Sequence, residues 1–428
     1  MTTTAHPSYL DFFSETPKNF DVENGFVSKI LPLTSVASNN SVIEFLVPSL
    51  SQCLISPSDT QYVIRLKITG SDGKDLAEIA AEKTDGFFTI LNSAASSIVS
   101  DMQILINGQH VGSSNSLYPF VGHVHNLLSN VIEKRNEFIS RGFVEEAADD
   151  GKTVNSSPGV LRHTLVSTSK EAVFIGGICN GIFQEKQLLA PNVTLGVRMF
   201  PSKSSFFIFS KNTTYKVEII SAHLEVKYLK LDSQLLIKTI ERMKIQPYLL
   251  HHLNIKPKNI VLSSGISTIT LPNILTGVMP VKLLFTFISN KSLLGTYDTN
   301  PLYFQPYQLS SYMIKINEKH YPSNRLNYSF ATKGNYIELY NHVMKNLAES
   351  GSTSTGIGSK FFASGGFFVI ENLLHDVGNP FVSPPQSGSM TLELEFSTSL
   401  TEAVSLILLP VYASTLSIDV NGNVSLQE

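Results

Sequence analysis

Cysteine is nearly absent from this sequence. Only Cys53 and Cys179 occur among the 428 residues, far apart and outside any Cys-x-x-Cys or Cys/His spacing. A disulfide framework or a structural zinc site needs several such residues at defined spacings. The sequence therefore indicates neither class and predicts two reduced, buried thiols.

Long apolar runs and clusters of basic residues are lacking as well. No stretch of about 18 apolar residues is available to span a membrane, and residues 1–20 lack the basic-then-apolar order of a signal peptide. The formal net charge is −3, and no run of about five or six basic residues forms an arm for nucleic acid. We expect a protein made in the cytoplasm or nucleus, not secreted, without a membrane span and without sequence-specific binding of nucleic acid.

The motifs of common enzyme classes are missing too. The sequence has no Gly-x-Ser-x-Gly element, and the glycine-rich stretch 351–360 lacks the Gly-Lys-Ser/Thr order of a phosphate loop. The composition of this stretch, like that of residues 149–159, predicts an exposed loop. We therefore predict that the protein is not an enzyme and has no catalytic residue.

Metal sites lack support in the same way. The close histidine pairs, His123 with His125 and His251 with His252, have no further ligand at the spacing of a metal triad. Residues 419–423 are rich in oxygen donors but lack the ligand series and the terminal glutamate of a calcium loop. We predict no metal, no cofactor, histidines with packing or polar roles, and a hairpin turn at 419–423.

Strand patterns dominate what is present. Apolar residues make up 42% of the chain and charged residues 16%, which is typical of a globular protein with a substantial core. Short runs rich in β-branched and aromatic residues alternate with period two and end at Gly, Pro, Asn or Ser. The predicted strands are 42–47, 62–68, 102–106, 109–111, 215–220, 223–229, 266–271, 281–288, 312–316, 390–396, 404–409 and 416–420. Asn107-Gly108 between two of them is the preferred sequence of a two-residue hairpin turn.

Helical patterns are few, and the two halves of the chain resemble one another. Helices are predicted over 120–133, 233–243 and 336–347, of which the second is a candidate connector between domains. Ile-Leu-Ile-Asn at 104–107, followed by His110, has a counterpart about 210 residues later in Ile-Lys-Ile-Asn at 314–317, followed by His320. A repeat of domain length suggests two copies of one β-sandwich.

Two long, many-stranded sandwiches fit the jelly-roll arrangement better than a short immunoglobulin-like module. We predict an all-β chain of two consecutive antiparallel jelly rolls, a double jelly roll with a few short helices. The predicted bounds are an N-terminal arm at 1–25, a first jelly roll at 26–231, a linker with a short helix at 232–245 and a second jelly roll at 246–428.

Several stretches resemble those of a known family. In the first half they are 43–48, 60–73, 92–108 and 115–120, and in the second half 276–280, 295–307 and 314–322. Their order and spacing cover most of residues 40–345, and the most specific of them is Asn-Pro-Leu-Tyr-Phe-Gln at 300–305. The sequence resembles the double jelly-roll major capsid (hexon-like) proteins of the Polinton, adintovirus and adenovirus-like lineage of DNA viruses.

This resemblance implies a structural viral protein of the virion. Its members would form a homotrimer, a pseudo-hexagonal capsomer that tiles an icosahedral capsid beside neighbouring capsomers, penton and minor capsid proteins. Two other classes remain open from the residues alone. One is a receptor- or glycan-binding β-sandwich, such as a spike or lectin-like protein, and the other is a β-rich enzyme, against which the absence of motifs counts.

Overall fold

The computed structural model of the protein describes residues 22–34, 36, 41–80, 86–129, 135–144, 151–325, 327–331, 334–349, 357–374, 380–381 and 384–427. Most of the predicted arm, most of the glycine-rich stretch 351–360 and part of 149–159 lie outside these residues. The described part consists mainly of antiparallel strands joined by short helices and turns.

The strands of the first half share antiparallel pairing. They are β1 (Val22–Ile30), β2 (Ile43–Val47), β3 (Cys53–Gly70), β4 (Phe88–Ile90), β5 (Val99–Ile106), β6 (Gln109–Ser113), β7 (Ala172–Gly177), β8 (Leu195–Pro201), β9 (Ile208–Ser210) and β10 (Tyr215–Leu231). The helices of this half are α1 (Ala94–Ser97), α2 (Tyr118–Ser129), α3 (Arg135–Ser140), α4 (Ser157–Thr164) and α5 (Ser204–Phe207).

A connecting helix, α6 (Ser233–Ile245), leads into the second half. The strands that follow are β11 (Tyr248–Ile255), β12 (Lys258–Leu262), β13 (Thr268–Val278), β14 (Lys282–Ser289), β15 (Leu309–Ile316), β16 (Lys319–Tyr321), β17 (Val369–Asn372), β18 (Ser387–Phe396), β19 (Val404–Ile418) and β20 (Val424–Gln427). The helices here are α7 (Asn290–Leu293), α8 (Ile337–Glu349) and α9 (Ser359–Ser364).

The two halves have the same sheet topology. In the first half one sheet has the order β1-β10-β3-β7 and the other β2-β8-β5-β6. In the second half the corresponding orders are β11-β19-β14-β17 and β13-β18-β15-β16, with β12 and β20 also paired to β19. Each half thus repeats the same crossed order of eight strands in two four-stranded layers, which is the jelly-roll arrangement. The predicted double jelly-roll fold is confirmed.

The sequence repeat marks equivalent hairpins in the two jelly rolls. Ile106 pairs with Gln109 across the turn Asn107-Gly108, and Ile316 pairs with Lys319 in the second half. Asn107 and Gly108 have φ of 50° and 78°, the positive values that a tight two-residue hairpin needs. The predicted turn is therefore confirmed, and the 104–110 and 314–320 segments occupy the same topological position.

Two predicted strand breaks are wrong. Residues 215–220 and 223–229 belong to one strand, β10, whose register to β3 shifts between Ile219 and Ser221. Residues 404–409 and 416–420 likewise lie largely in one strand, β19, which runs through Pro410. Pro410 lacks an N–H but is tolerated because β12 ends its pairing at Leu408 and β11 begins at Val411.

Each sandwich encloses an apolar core, and α2 joins the two. Phe45 and Tyr62 lie in the core of the first half, whereas Phe285 and Tyr312 lie in that of the second. The predicted helix 120–133 is found as α2, and its buried side chain of Phe120 belongs to the second core. Burying one such aromatic side chain stabilises the fold by about 1.5–3 kcal/mol. The two halves therefore share core packing in addition to the connecting helix.

The connector α6 begins where the sequence predicts and has little buried surface. The Asp232 carboxylate accepts hydrogen bonds from the backbone N–H groups of Gln234 at 2.9 Å and Leu235 at 3.2 Å, and so caps the helix. Met243 is the only buried residue of this helix. The third predicted helix, 336–347, is found as α8. In the part of the chain that the structure describes, no helix has the length and apolar character needed to cross a membrane.

Candidate functional site

Several exposed apolar side chains lie on β1, on β2 and next to these strands in the first jelly roll. β1 and β2 are the edge strands of its two sheets, and the backbone N–H of Leu33 donates to the carbonyl oxygen of Glu44 at 2.8 Å between them. Apart from Phe26, which stacks on Tyr228, five apolar side chains of this region are each at least 36% exposed. We call them the edge patch: Val27, Leu31, Leu33, Val42 and Leu46.

The strand period explains why this patch faces outward. Ile43, Phe45 and Val47 of β2 point into the core, so the alternating residue Leu46 points to solvent. Contiguous exposed apolar surface is typical of a protein–protein contact, whereas scattered apolar residues are ordinary surface. The sequence alone identifies no contact residue. The one local signal for this patch is in β2, where Leu46 alternates with the buried residues Phe45 and Val47.

A second feature of the fold is the junction between the jelly rolls, where segment 300–305 lies. The Asn300 Nδ2 donates to the carbonyl oxygen of Gly151 at 3.1 Å, which bonds the second half to the first. Phe304 is fully buried, and its ring centroid lies 5.5 Å from that of His123 and 6.4 Å from that of Phe120. The most specific stretch of the family resemblance therefore holds the two sandwiches together.

The histidines of the two close pairs make packing and polar contacts within the fold. The Nδ1 of His123 lies 3.0 Å from the Ser93 Oγ, and burial lowers the pKa of this histidine to about 3. Burial also lowers the pKa of His125 to about 4. The Nδ1 of His251 lies 2.8 Å from the Thr415 Oγ1, and His252 is buried in β11. Among the described residues, no three metal-ligating side chains come together.

The two thiols are free, but their burial differs from the prediction. Cys53 and Cys179 form no disulfide, and each is half-buried rather than buried. Burial raises the pKa of the Cys179 thiol to about 11, so it is protonated at neutral pH and a poor nucleophile. The backbone N–H of Cys179 donates to the Tyr118 hydroxyl oxygen at 3.2 Å. This region is a packed part of the fold and lacks a reactive thiolate.

A buried carboxylate lies inside the second jelly roll. Glu371 on β17 is 3% exposed and accepts hydrogen bonds from the Tyr312 hydroxyl at 2.5 Å and the Asn346 Nδ2 at 3.3 Å. The Nε2 of His342 on α8 lies 2.7 Å from the same carboxylate. Burial, with the adjacent carboxylate as the next cause, raises the pKa of Tyr312 well above its usual value. Because every partner belongs to the fold, the network anchors α8 onto β17.

The predicted turn at 419–423 also uses its oxygen donors internally. The Asp419 Oδ1 accepts from the backbone N–H groups of Asn421 and Asn423, both at 2.8 Å, and its Oδ2 accepts from the Asn423 Nδ2 at 2.7 Å. These bonds lower the pKa of Asp419. The turn links β19 and β20, so the predicted hairpin is confirmed.

Comparison of the sequence with known proteins gives one distant relative. The chain is 21% identical over 317 residues to an uncharacterized protein of Caenorhabditis elegans, F54H12.2, which covers 72% of this chain and 73% of the relative. No protein-family model matches the sequence. The sequence comparison therefore adds no activity or partner.

Comparison with solved structures is much more informative. The match to the Sputnik virophage structure covers 100% of this chain and 93% of the other, with a TM-score of 0.63 and 13% identity. The match to the faustovirus major capsid protein covers 95% and 92%, with a TM-score of 0.57 and 10% identity. The match to the mavirus major capsid protein covers 100% and 95%, with a TM-score of 0.52 and 11% identity. The described part of the chain therefore has the double jelly-roll fold of these viral major capsid proteins.

Proposed function

We propose that this chain is a major capsid protein that builds the shell of an icosahedral DNA virus. The observation that carries the proposal is the occurrence of two jelly rolls with identical strand order, matched from end to end by viral capsid proteins. A binding module of one sandwich has no need for a second copy of the same size. The protein belongs in the virion.

In this proposal three chains form a capsomer. Six jelly rolls around a threefold axis give a pseudo-hexagonal outline that tiles a shell, in contact with neighbouring capsomers, penton and minor capsid proteins. The domain bounds proposed with it are the arm 1–25, the first jelly roll 26–231, the linker 232–245 and the second jelly roll 246–428. The packing of α2 of the first half into the core of the second supports a rigid two-sandwich subunit.

Surface chemistry is consistent with repeated self-association. Obligate interfaces bury large areas, often above about 2,000 Å², and are more apolar than ordinary surfaces. The edge patch offers exposed apolar side chains, and a formal net charge of −3 leaves little repulsion between copies. Self-association needs no dedicated chemistry, so we propose a structural role without enzymatic activity.

The mass of the purified protein in solution tests this proposal. Size exclusion with light scattering is expected to give a stable species of three times the 47.1 kDa chain mass. A chain that stays monomeric across salt and pH contradicts the proposal and favours the alternative of a receptor- or glycan-binding β-sandwich. Binding to a glycan array then becomes the decisive measurement.

A further inference from the structure

A small cavity lies beside the helices of the first jelly roll. Its volume is about 110 Å³, several times the roughly 10–15 Å³ that one water molecule needs but well below the pockets of about 300–1,000 Å³ that enclose drug-sized molecules. We call it the Arg141 cavity, and it is lined by Ser96, His125, Asn126, Arg141, Gly177 and Cys179, among others. Its size suits an ion of a few atoms.

Arg141 gives this cavity its charge. Among the described residues that line it there is no aspartate or glutamate, and no described carboxylate forms an ion pair with Arg141. The Arg141 Nη1 donates to the Asn126 Oδ1 at 3.1 Å, and the guanidinium carbon lies 4.9 Å from the centroid of the Phe138 ring. These contacts hold in place a planar group with five N–H donors, most of which remain open to another acceptor.

Asn126 adds a buried donor beside this charge. The residue is 2% exposed, and because its Oδ1 accepts from Arg141, its amide nitrogen Nδ2 is the group that remains for another partner. No described residue accepts a hydrogen bond from this Nδ2. Since a buried N–H group without an acceptor is costly, an acceptor inside the cavity stabilises this arrangement.

The other titratable side chains of the described lining are neutral. Burial, with the charge of Arg141 as the next cause, lowers the pKa of His125 to about 4, so its ring is uncharged at neutral pH and keeps one N–H donor. The Cys179 thiol, whose pKa burial raises to about 11, is protonated as well. At neutral pH the described lining therefore has a formal charge of +1, that of Arg141, and no anion of its own to balance it.

We propose that the Arg141 cavity binds a small oxyanion of the phosphate or sulfate type. The charge of Arg141 attracts the anion, and the planar guanidinium fork matches two oxygens of a tetrahedral oxyanion. The Asn126 Nδ2 then donates to the same ion and gains the acceptor that the described chain does not supply. A halide offers a single acceptor centre to the fork, so we expect an oxyanion to be preferred over chloride. The inference does not depend on the proposed capsid role.

Calorimetric titration of the full-length protein with inorganic phosphate, in chloride buffer of constant ionic strength at neutral pH, tests the site. We expect saturable binding of one ion per chain in the wild type and at least tenfold weaker binding by Asn126→Asp. This nearly isosteric change places a carboxylate beside Arg141, which repels the oxyanion and occupies the guanidinium. Arg65→Gln is the matched control, because Arg65 is an exposed arginine of the same jelly roll, and its affinity for phosphate is expected to equal that of the wild type. Absence of saturable binding in the wild type, or equal affinities in the wild type and Asn126→Asp, overturns the proposal.

A second variant removes the charge of the cavity instead of compensating it. Arg141→Gln keeps a side-chain amide but has no positive charge, and it is expected to weaken phosphate binding at least tenfold. Millimolar phosphate is expected to raise the unfolding temperature of the wild type and of Arg65→Gln, but of neither cavity variant. Because phosphate at high concentration stabilises proteins in general, the difference between the variants tests the site. An equal rise in all four proteins means that phosphate acts elsewhere on the chain, and overturns the proposal.

A crystal of the wild-type protein soaked in selenate locates the ion. The anomalous signal of selenium is expected within hydrogen-bond distance of the Arg141 guanidinium and the Asn126 Nδ2. A cavity that holds water alone, with selenate bound only at other positions, contradicts the proposed site.

Discussion

The Asn107 Nδ2 donates a 2.8 Å hydrogen bond to the carbonyl oxygen of Gly422, although 315 residues separate them. The Oδ1 of the same amide accepts from the backbone N–H of Thr194 at 2.8 Å. The amide oxygen of Asn107 thus accepts a hydrogen bond within the first jelly roll, whereas its amide nitrogen donates one to the last hairpin of the second. The tight turn that the sequence predicts is also a contact between the two sandwiches.

Replacing Asn107→Gly is expected to weaken this contact without disturbing the turn. Glycine adopts the positive φ of this position but removes the 2.8 Å bonds to Gly422 and the Thr194 backbone, each worth about 0.5–1.5 kcal/mol, together with a longer 3.2 Å bond from the Thr194 hydroxyl. We expect the free energy of unfolding in urea to fall by about 1–3 kcal/mol. The matched control is Asn317→Gly in the equivalent turn, where the Nδ2 makes only an exposed 3.3 Å bond to Ser387. Equal losses in both variants contradict this role for Asn107.

The buried carboxylate of Glu371 is expected to be important for stability. Glu371→Ala leaves the Tyr312 hydroxyl and the Asn346 amide with fewer partners inside the core, and such losses cost about 3 kcal/mol or more. Chemical denaturation of Glu171→Ala serves as the comparison, because Glu171 is an exposed partner of Arg65 and its truncation is expected to cost less than about 1 kcal/mol. Similar losses for the two variants rule out the network as the anchor of α8.

Stability is expected to fall as the pH is lowered below about 6.5, in part because of His123. Its folded pKa of about 3 lies below the usual 6.5, so the unfolded chain takes up a proton that the folded chain rejects. The stability from this group is complete above pH 6.5 and is lost as the pH falls toward 3, at up to about 1.4 kcal/mol per pH unit.

The variant His123→Gln is expected to reduce the slope of unfolding free energy against pH between 6.5 and 4. Ser93→Ala is the matched control, because it removes the partner of His123 but keeps the imidazole. This control is expected to lower stability at every pH while the slope is retained. An unchanged slope in His123→Gln shows that other groups cause the acid sensitivity.

The edge patch is expected to contribute to assembly. Carboxylates introduced by Leu31→Asp together with Leu33→Asp place charge on an apolar contact, and we expect the oligomer mass from light scattering to fall by at least half at equal protein concentration. Leu294→Asp changes an equally exposed leucine in the second half and is expected to leave the mass unchanged. Both sets of variants are expected to unfold at nearly the wild-type temperature. If the oligomer mass falls both in the patch variant and in Leu294→Asp, or in neither, the result contradicts a specific role for the patch.

The sequence predicts the strands and the repeat because local alternation and turn chemistry determine them. It fails where a strand changes its phase or its partner. In β10 the apolar series Val217 and Ile219 resumes one residue out of phase at Ala222, because a bulge shifts the register there. Alternation that is interrupted in this way predicts two strands where the structure has one. In β19 a proline inside a strand is tolerated only because the neighbouring strand is interrupted opposite it, which no local pattern shows.

The long-range contacts and the exposed surface are harder to predict from the sequence. Glu371 gives one signal, since it is a charged residue directly after the apolar run 367–370, but its partners come from a strand and a helix elsewhere in the chain. The edge patch and the Asn107 contact depend on which sheet edges remain open and on how the jelly rolls pack. Both are properties of tertiary structure that strand periodicity does not encode.

Electron microscopy of the purified oligomer tests the proposed capsid role most directly. Class averages viewed along the symmetry axis are expected to show six sandwich-sized lobes in a pseudo-hexagonal outline with threefold symmetry, two lobes from each 47.1 kDa chain. Particles of a single two-lobed chain, or an oligomer without the six-lobed outline, contradict the assignment of this protein as a capsomer subunit.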